Sequence, residues 1–277
     1  MTAEMPKHYW ANMPEATLIP GLVAGAGRRA EAMRALPADA APRFAGKAAR
    51  KPRPSQVLAT EIAALRAEAS ACTLCALHSA ATQTVFGEGP EDARLVFVGE
   101  QPGDQEDLAG RPFVGPAGQL LDRALADAGI ARSEAYLTNA VKHFKYEPRG
   151  KRRIHKKPNA GEVRACRWWL EKELDTLKPA FIVALGATAA QALSGRPVSV
   201  LRERGPTSFG GIPGYFTIHP SYLLRLPEEA DKNAEFQRFV EDLKAIAHVF
   251  VTRQAAEAAR ETAARESQSL ALIRQRT

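Results

Sequence analysis

The chain has 277 residues, enough for one α/β domain of about 200 residues with extensions or for two small domains. Its 45% hydrophobic and 25% charged content is that of an ordinary globule, and no apolar run approaches the roughly 20 residues of a membrane-spanning helix. A net charge of +7 favours an anionic partner without naming it.

Taken in order, MPKHYWANMPEATLIPGL is too short for a domain and reads as the tail of a preceding module. The Ala-, Pro- and Arg-rich stretch that follows reads as a linker, so residues 1–54 form an expected remnant and linker. The opening MTAEMPKHYW has no signal-peptide core, so a cytoplasmic, nucleoid-associated setting is expected. Nothing in the chain calls for more than a monomer.

From Ser55 a helical period (Val57, Leu58, Ile62, Leu65) runs into CTLC at 72–75. The run RLVFVG at 94–99 has the apolar continuity of a buried strand. An acidic, Gly-rich loop over Glu100–Gly118 follows, then a helix over Gln119–Ala128 and a strand over Tyr136–Val141. A helix over Glu162–Leu177, a strand over Ala180–Leu185 and a helix over Ala187–Leu193 come next. A fourth strand, Gly214–Ile218, ends at His219-Pro220-Ser221, and an amphipathic helix covers Asn233–Val249. Residues 251–277 are expected as a helical or disordered tail. Strands alternating with helices predict a three-layer αβα fold, residues 55–250, around a mostly parallel four-stranded sheet. In such sheets ligands sit beyond the carboxyl ends of the strands. Glu100–Phe113, Asn139–His155 and His219–Arg225 all fall there.

Those three segments hold the candidate chemistry. Within Lys142–Lys157 lie Lys142, Lys145, Arg149, Lys151, Arg152, Arg153, Lys156 and Lys157, against one acid, Glu147. Such a run would self-repel unless neutralised, as by a nucleic-acid backbone, though it also fits a solvated surface loop. Asn139 precedes it and His155 sits inside it. Glu100, Asp104, Glu106 and Asp107 put four acids in eight residues. They fit a divalent-metal site, a water-positioning group or the stabilisation of a cation, or else an exposed acidic loop. Phe113, between Pro and Gly turns, is placed to stack on a flat ligand or to fill the core. Asn139 offers the paired donor and acceptor that read an amide-like edge. His219 could donate to a developing oxyanion, and Ser221 with Arg225 could hold a phosphate. Each also fits a structural role. Three cysteines are too few for a disulfide frame; Cys72 and Cys75 read as half a thiolate site or as incidental thiols. Cys166 and His143 are the candidates to complete it.

Read together, GEGPEDARLVFVGEQPGDQEDLAGRPFVGPAGQLL, TNAVKHFKY and HPSYLLR resemble the uracil-DNA glycosylase superfamily, most of all its iron–sulfur family 4. The resemblance runs from about Cys72 to Val249. Three departures, His143 in place of a cysteine, the insertion Lys151–His155, and Gln101 in the first motif, resemble the UdgX-type branch. What the resemblance implies is excision of uracil from DNA, single-stranded DNA being the expected form. Attachment of His155 to C1′ of the abasic site would then limit each molecule to one turnover. The alternative is a conventional, multiple-turnover family 4-like glycosylase that releases free uracil. By the same resemblance Phe113 stacks on the extruded base, Asn139 reads its edge and His219 stabilises its anion. Glu100, Gln101, Asp104 and Asp107 line the reacting sugar, and Cys72, Cys75, His143 and Cys166 hold a [4Fe–4S] cluster. From their charge and position, Lys151, Arg152, Arg153, Ser221 and Arg225 are the candidates to contact DNA.

Overall fold

Short apolar runs bounded by glycine become strands here because burial on both faces selects them. The computed structural model describes residues 55–274, so the expected remnant and linker at 1–54 lie outside the described residues. Helix α1 (Ser55–Ser70) comes first, followed by a 3-10 turn at Ala76–Ser79. Strand β1 (Leu95–Gly99) is buried at every position, as is β2 (Ala135–Asn139). Between them lie α2 (Asp104–Ala109) and α3 (Pro116–Asp127). The stretch expected as an acidic loop is thus partly helical.

The basic run is not an irregular loop either. It folds into an antiparallel hairpin, β3 (Tyr146–Arg149) and β4 (Arg152–His155), turning at Gly150-Lys151 with Gly150 at φ 58. A two-residue turn with a left-handed glycine matches the twist of the two strands. Helix α4 (Ala160–Leu177) opens on a reciprocal cap: Glu162 N–H donates to Asn159 Oδ1, and Asn159 N–H to Glu162 Oε2. Its core-facing stripe, Val163, Cys166, Leu170, Glu173 and Leu177, follows helical spacing. Beyond it come β5 (Phe181–Leu185), α5 (Ala187–Ser194), α6 (Val200–Glu203), β6 (Gly205–Phe209) and β7 (Ile212–Thr217). Helix α7 (Glu229–Arg274) seats Phe236, Phe239, Val240, Leu243 and Ile246 in the core.

The main sheet has five strands, not the four expected, in the order β2-β1-β5-β7-β6. The first four pair in parallel, while β6 is an added antiparallel edge on β7. The connection from β2 to β5 crosses over β1, so the strand order reverses beside β1 and opens a crevice at its carboxyl end. No helix among the described residues is long and apolar enough to cross a membrane.

Candidate active site

The carboxyl ends of β1, β5 and β7 deliver Glu100, Gly186 and His219 to one crevice, with Asn139 at the end of β2 beside it. A cleft of about 430 Å³ opens there, lined among others by Glu100, His155, Thr188, His219, Ser221 and Arg225. Phe113 and Asn139 do not line that cleft; they meet above Gly99. A β-carbon on Gly99 would lie 2.6 Å from Phe113 Cζ and closer still to Asn139 Oδ1, so the two side chains converge where only glycine leaves room. Phe113 joins this pair to the cleft, its ring stacking on His219 with centroids 6.0 Å apart. Its backbone is left-handed, at φ 55, and Arg132 Nη2 donates to its carbonyl. Strain of that kind, about 1–3 kcal/mol, persists only where surrounding contacts over-determine it. Asn139 is buried, and its side-chain amide forms no hydrogen bond with the described residues.

His219 is fixed in one tautomer. Ser221 N–H donates to Nδ1 at 3.1 Å, and Ser221 Oγ lies 2.8 Å from the same nitrogen while accepting from Arg225 Nη1. With Nδ1 occupied as acceptor, the ring proton sits on Nε2. Burial, with the nearby Arg225 and His155, pushes the His219 pKa down to about 4, so this donor is neutral.

His155 reaches the cleft from the hairpin. Alternation along β4 turns Arg153 and His155 to one face and Arg152 and Ile154 to the other. His155 Nε2 stands 3.5 Å from Glu100 Oε1, and Glu100 Oε2 accepts from Thr188 Oγ1 at 2.5 Å. Burial holds the His155 pKa below the ordinary imidazole value, opposed by Glu100 and reinforced by Arg225.

Several expected site residues also hold the hairpin, Gln101 while lining the cleft. Gln101 spends its amide on three backbone groups, accepting from Lys145 N–H and donating to the Lys145 and Lys156 carbonyls. Arg153 donates to Asp104 Oδ1 at 2.6 Å and Asp107 Oδ2 at 2.5 Å, lying over the rings of Phe144 and Tyr146. Thr82 N–H also donates to Asp107. Arg153 is therefore spoken for by carboxylates, and Asp104 and Asp107 face the hairpin. Glu106 accepts from Gly103 and Gly115 N–H, bracing the loop that presents Phe113. The basic run is likewise half neutralised. Lys142 pairs with Glu173, Lys145 with Glu162 and Lys156 with Glu147, while Lys151 and Arg152 stay exposed at the hairpin turn.

The thiols do not line the cleft. Cys72 Sγ accepts from Trp169 Nε1 at 3.0 Å and Cys166 Sγ from Lys142 N–H at 3.1 Å. Burial pushes the Cys166 thiol up to about 12, with smaller upward pushes from Cys75 and Cys72, which places all three in one neighbourhood. His143 Nε2 lies 2.9 Å from Thr84 Oγ1, whose only hydrogen goes to the Ala69 carbonyl. His143 therefore donates through Nε2, and its buried Nδ1 is left as a bare lone pair with no partner. Among the described residues, no group of three or more His, Cys, Asp or Glu side chains is arranged to hold a metal ion, so the expected four-ligand set is not assembled as such.

Two groups in this region carry no earlier expectation. Thr188 was hidden in an Ala-rich helix start, and the buried Glu173 could have been found as an acid at a core position of the α4 stripe.

Residues 86–244 match the family described as Uracil DNA glycosylase superfamily. Over 177 residues the chain is 43% identical to a Type-4 uracil-DNA glycosylase of Thermotoga maritima, covering 62% of this chain and 86% of that protein. It is 40% identical over 176 residues to the Type-4 uracil-DNA glycosylase of Pyrobaculum aerophilum, 60% and 85% of the two chains. A Type-5 uracil-DNA glycosylase of the same organism is 30% identical over 153 residues, 49% of this chain and 64% of that one. A family match over more than half the chain leaves one assignment: the chain belongs to the uracil DNA glycosylase superfamily.

Proposed function

We propose that this protein excises uracil from DNA and that His155 captures the sugar it leaves behind. The observation that carries this is His155 Nε2, on an anchored hairpin, 3.5 Å from Glu100 in the cleft that His219 lines. Extruding a base from a stack costs a few kcal/mol, and stacking on Phe113 returns roughly 1–3 kcal/mol. The free amide of Asn139 reads the uracil edge. As the N1–C1′ bond breaks, its electron pair leaves with uracil and positive charge develops on the sugar. Glu100 stabilises that charge, and the His219 Nε2–H donates to the departing anion. The Nε2 lone pair of neutral His155 then bonds to C1′, its ring sheds a proton to water, and uracil takes one up. Hydrolysis is displaced because the imidazole occupies the place from which water would attack. Lys151, Arg152 and Arg225 bind the flanking phosphates.

Cys72, Cys75, His143 and Cys166 fit a [4Fe–4S] cluster in donor chemistry: three neighbouring thiols and one unprotonated, unpartnered ring nitrogen. Bound there, the cluster would serve as a cross-link, since glycosidic cleavage moves no electron between redox centres.

The names of the relatives favour the second reading, ordinary turnover with release of uracil and abasic DNA. Incubation with a uracil-containing single-stranded oligonucleotide, beside a thymine control, followed by denaturing electrophoresis separates the two. A uracil-dependent band that survives heat and detergent, lost in His155→Ser, is the expected result. Alkali-cleavable product without such a band, over many turnovers, would overturn capture and leave glycosylase turnover.

A further inference from the structure

Under the end of β2, away from the cleft, a lysine and a glutamate are completely enclosed. Lys142 Nζ and Glu173 Oε2 lie 2.5 Å apart, and neither side chain has any exposed surface. The ammonium spends its other two donors on Thr138 Oγ1 at 2.7 Å and the Asn139 carbonyl at 2.8 Å. Glu173 accepts from Gly87 N–H and Tyr136 OH on one oxygen, and from Thr138 Oγ1 on the other. Every polar atom of the pair is satisfied.

Stability alone does not account for such a pair. Well-packed apolar side chains of similar volume serve as well or better than a buried ion pair. What the pair supplies is geometry at one place. The Asn139 carbonyl is held by Lys142 Nζ, and the Ala140 N–H on the same peptide plane is held by the Gly99 carbonyl at 2.9 Å. That plane cannot rotate, so only the Asn139 side-chain torsions remain free. The N–H of Lys142 meanwhile donates to Cys166 Sγ, one helix stripe along from Glu173.

We propose that the buried Lys142–Glu173 pair is the positioning device for Asn139, aiming its amide at the base through the clamped Asn139–Ala140 peptide. This rests on the reading of Asn139 as the group that recognises uracil. Lys142 lines no part of the cleft and reacts with nothing; it acts through Asn139.

The test uses the full chain carrying the paired change Lys142→Met with Glu173→Met, which removes both charges together. Single-turnover release of uracil at saturating oligonucleotide should fall by about 10- to 100-fold. The oligonucleotide concentration at half-saturation should stay within about two-fold, because the phosphate-binding cations are untouched. A merely structural role is separated by the Asn139→Ala background, where the paired change should cost nothing further. A wild-type rate in the folded paired variant overturns the proposal, as does an equal loss with and without Asn139. If the paired variant does not fold, Thr138→Val takes its place. It removes the hydroxyl that bridges the pair and should slow release several-fold with the same dependence on Asn139; a wild-type rate overturns the proposal there too. Wild-type protein that forms no uracil-dependent product would instead sink the functional reading beneath it.

Discussion

Gly99→Ala tests the base site without touching any reacting group. The added methyl would stand 2.6 Å from Phe113 Cζ and within contact of Asn139 Oδ1. Carbon atoms prefer about 3.5–4.0 Å, so something must move by about 1 Å. Strand β1 cannot retreat, since β2 and β5 pair on its two sides and both its faces are buried. Phe113 cannot swing freely either. Its own left-handed backbone is fixed, and Gly118 passes so close to its carbonyl that a side chain there would overlap it. The displacement therefore falls on the Asn139 amide or on the stacking ring. Misplacement of about 1 Å at a reacting centre costs on the order of 100-fold in rate. Overpacking of this kind costs typically 1–3 kcal/mol of stability. Both are readable, as single-turnover uracil release and as a shift in the urea unfolding midpoint. Uracil release within two-fold of wild type, in a folded Gly99→Ala protein, would refute the convergence of Phe113 and Asn139 as the base site.

Further expectations concern the hairpin, the tautomers and the thiol pocket. Arg153→Met strands the enclosed Asp107 carboxylate and cuts the hairpin's ties to α2. It should cost roughly 3 kcal/mol of stability and slow adduct formation; melting curves and time-resolved denaturing gels check it, and an unaltered adduct rate counts against the anchoring role. The His219 pKa is near 4 when folded against 6.5 unfolded. Because it is depressed, its contribution is intact above pH 6.5 and is lost as pH falls toward 4. By pH 5 this amounts to ~2 kcal/mol. Urea titrations at pH 7 and pH 5 should show a pH-dependent loss in wild type that is smaller by about that amount in His219→Gln. Thr84→Val removes the group that keeps the His143 proton on Nε2. Iron retained per chain after brief chelator exposure should drop, by analogy with the 10- to 100-fold losses that follow removal of second-shell partners. Unchanged iron content would argue against ligation through Nδ1.

What could be read from residues alone follows a physical division. Strands β1 and β5 were legible because burial on both faces writes them as continuous apolar runs, Leu95–Val98 and Phe181–Leu185. The edge strand Gly205–Phe209 was not, since its Gly-Pro-Thr-Ser start has no apolar signal. It exists because β7 offers it a partner. The hairpin was hidden by its own cations and by Pro148, although the two-residue turn at Gly150-Lys151 was there to be seen. Composition counted Arg153 and Lys142 as free charge. Their neutralisation depends on Asp104, Asp107 and Glu173, which only the fold brings within reach. Gln101 likewise stood in a motif as one more polar residue, and its three backbone bonds identify it as the strap that ties the ends of the hairpin together.

The two cleft histidines show how far identity and role can separate. Each has an imidazole pKa pushed down by burial, and each feels the Arg225 charge. Left to that alone, they would be interchangeable neutral rings. The difference lies in what meets Nδ1. In His219 the ring receives a backbone N–H there, so its Nε2 must carry hydrogen and can only donate. In His155 no backbone N–H among the described residues meets the ring, and its Nε2 stands 3.5 Å from Glu100 Oε1. One ring is thereby set to receive negative charge, and the proposed capture asks the other to supply an electron pair, the two demands that a breaking glycosidic bond makes on its opposite ends. The division is made by the local backbone, by the 3-10 turn after β7 in one case and by the extended end of β4 in the other. Lengthening the β3–β4 hairpin by two residues would keep its alternation and both histidines while moving His155 off Glu100, and capture, not base release, is the step it should remove.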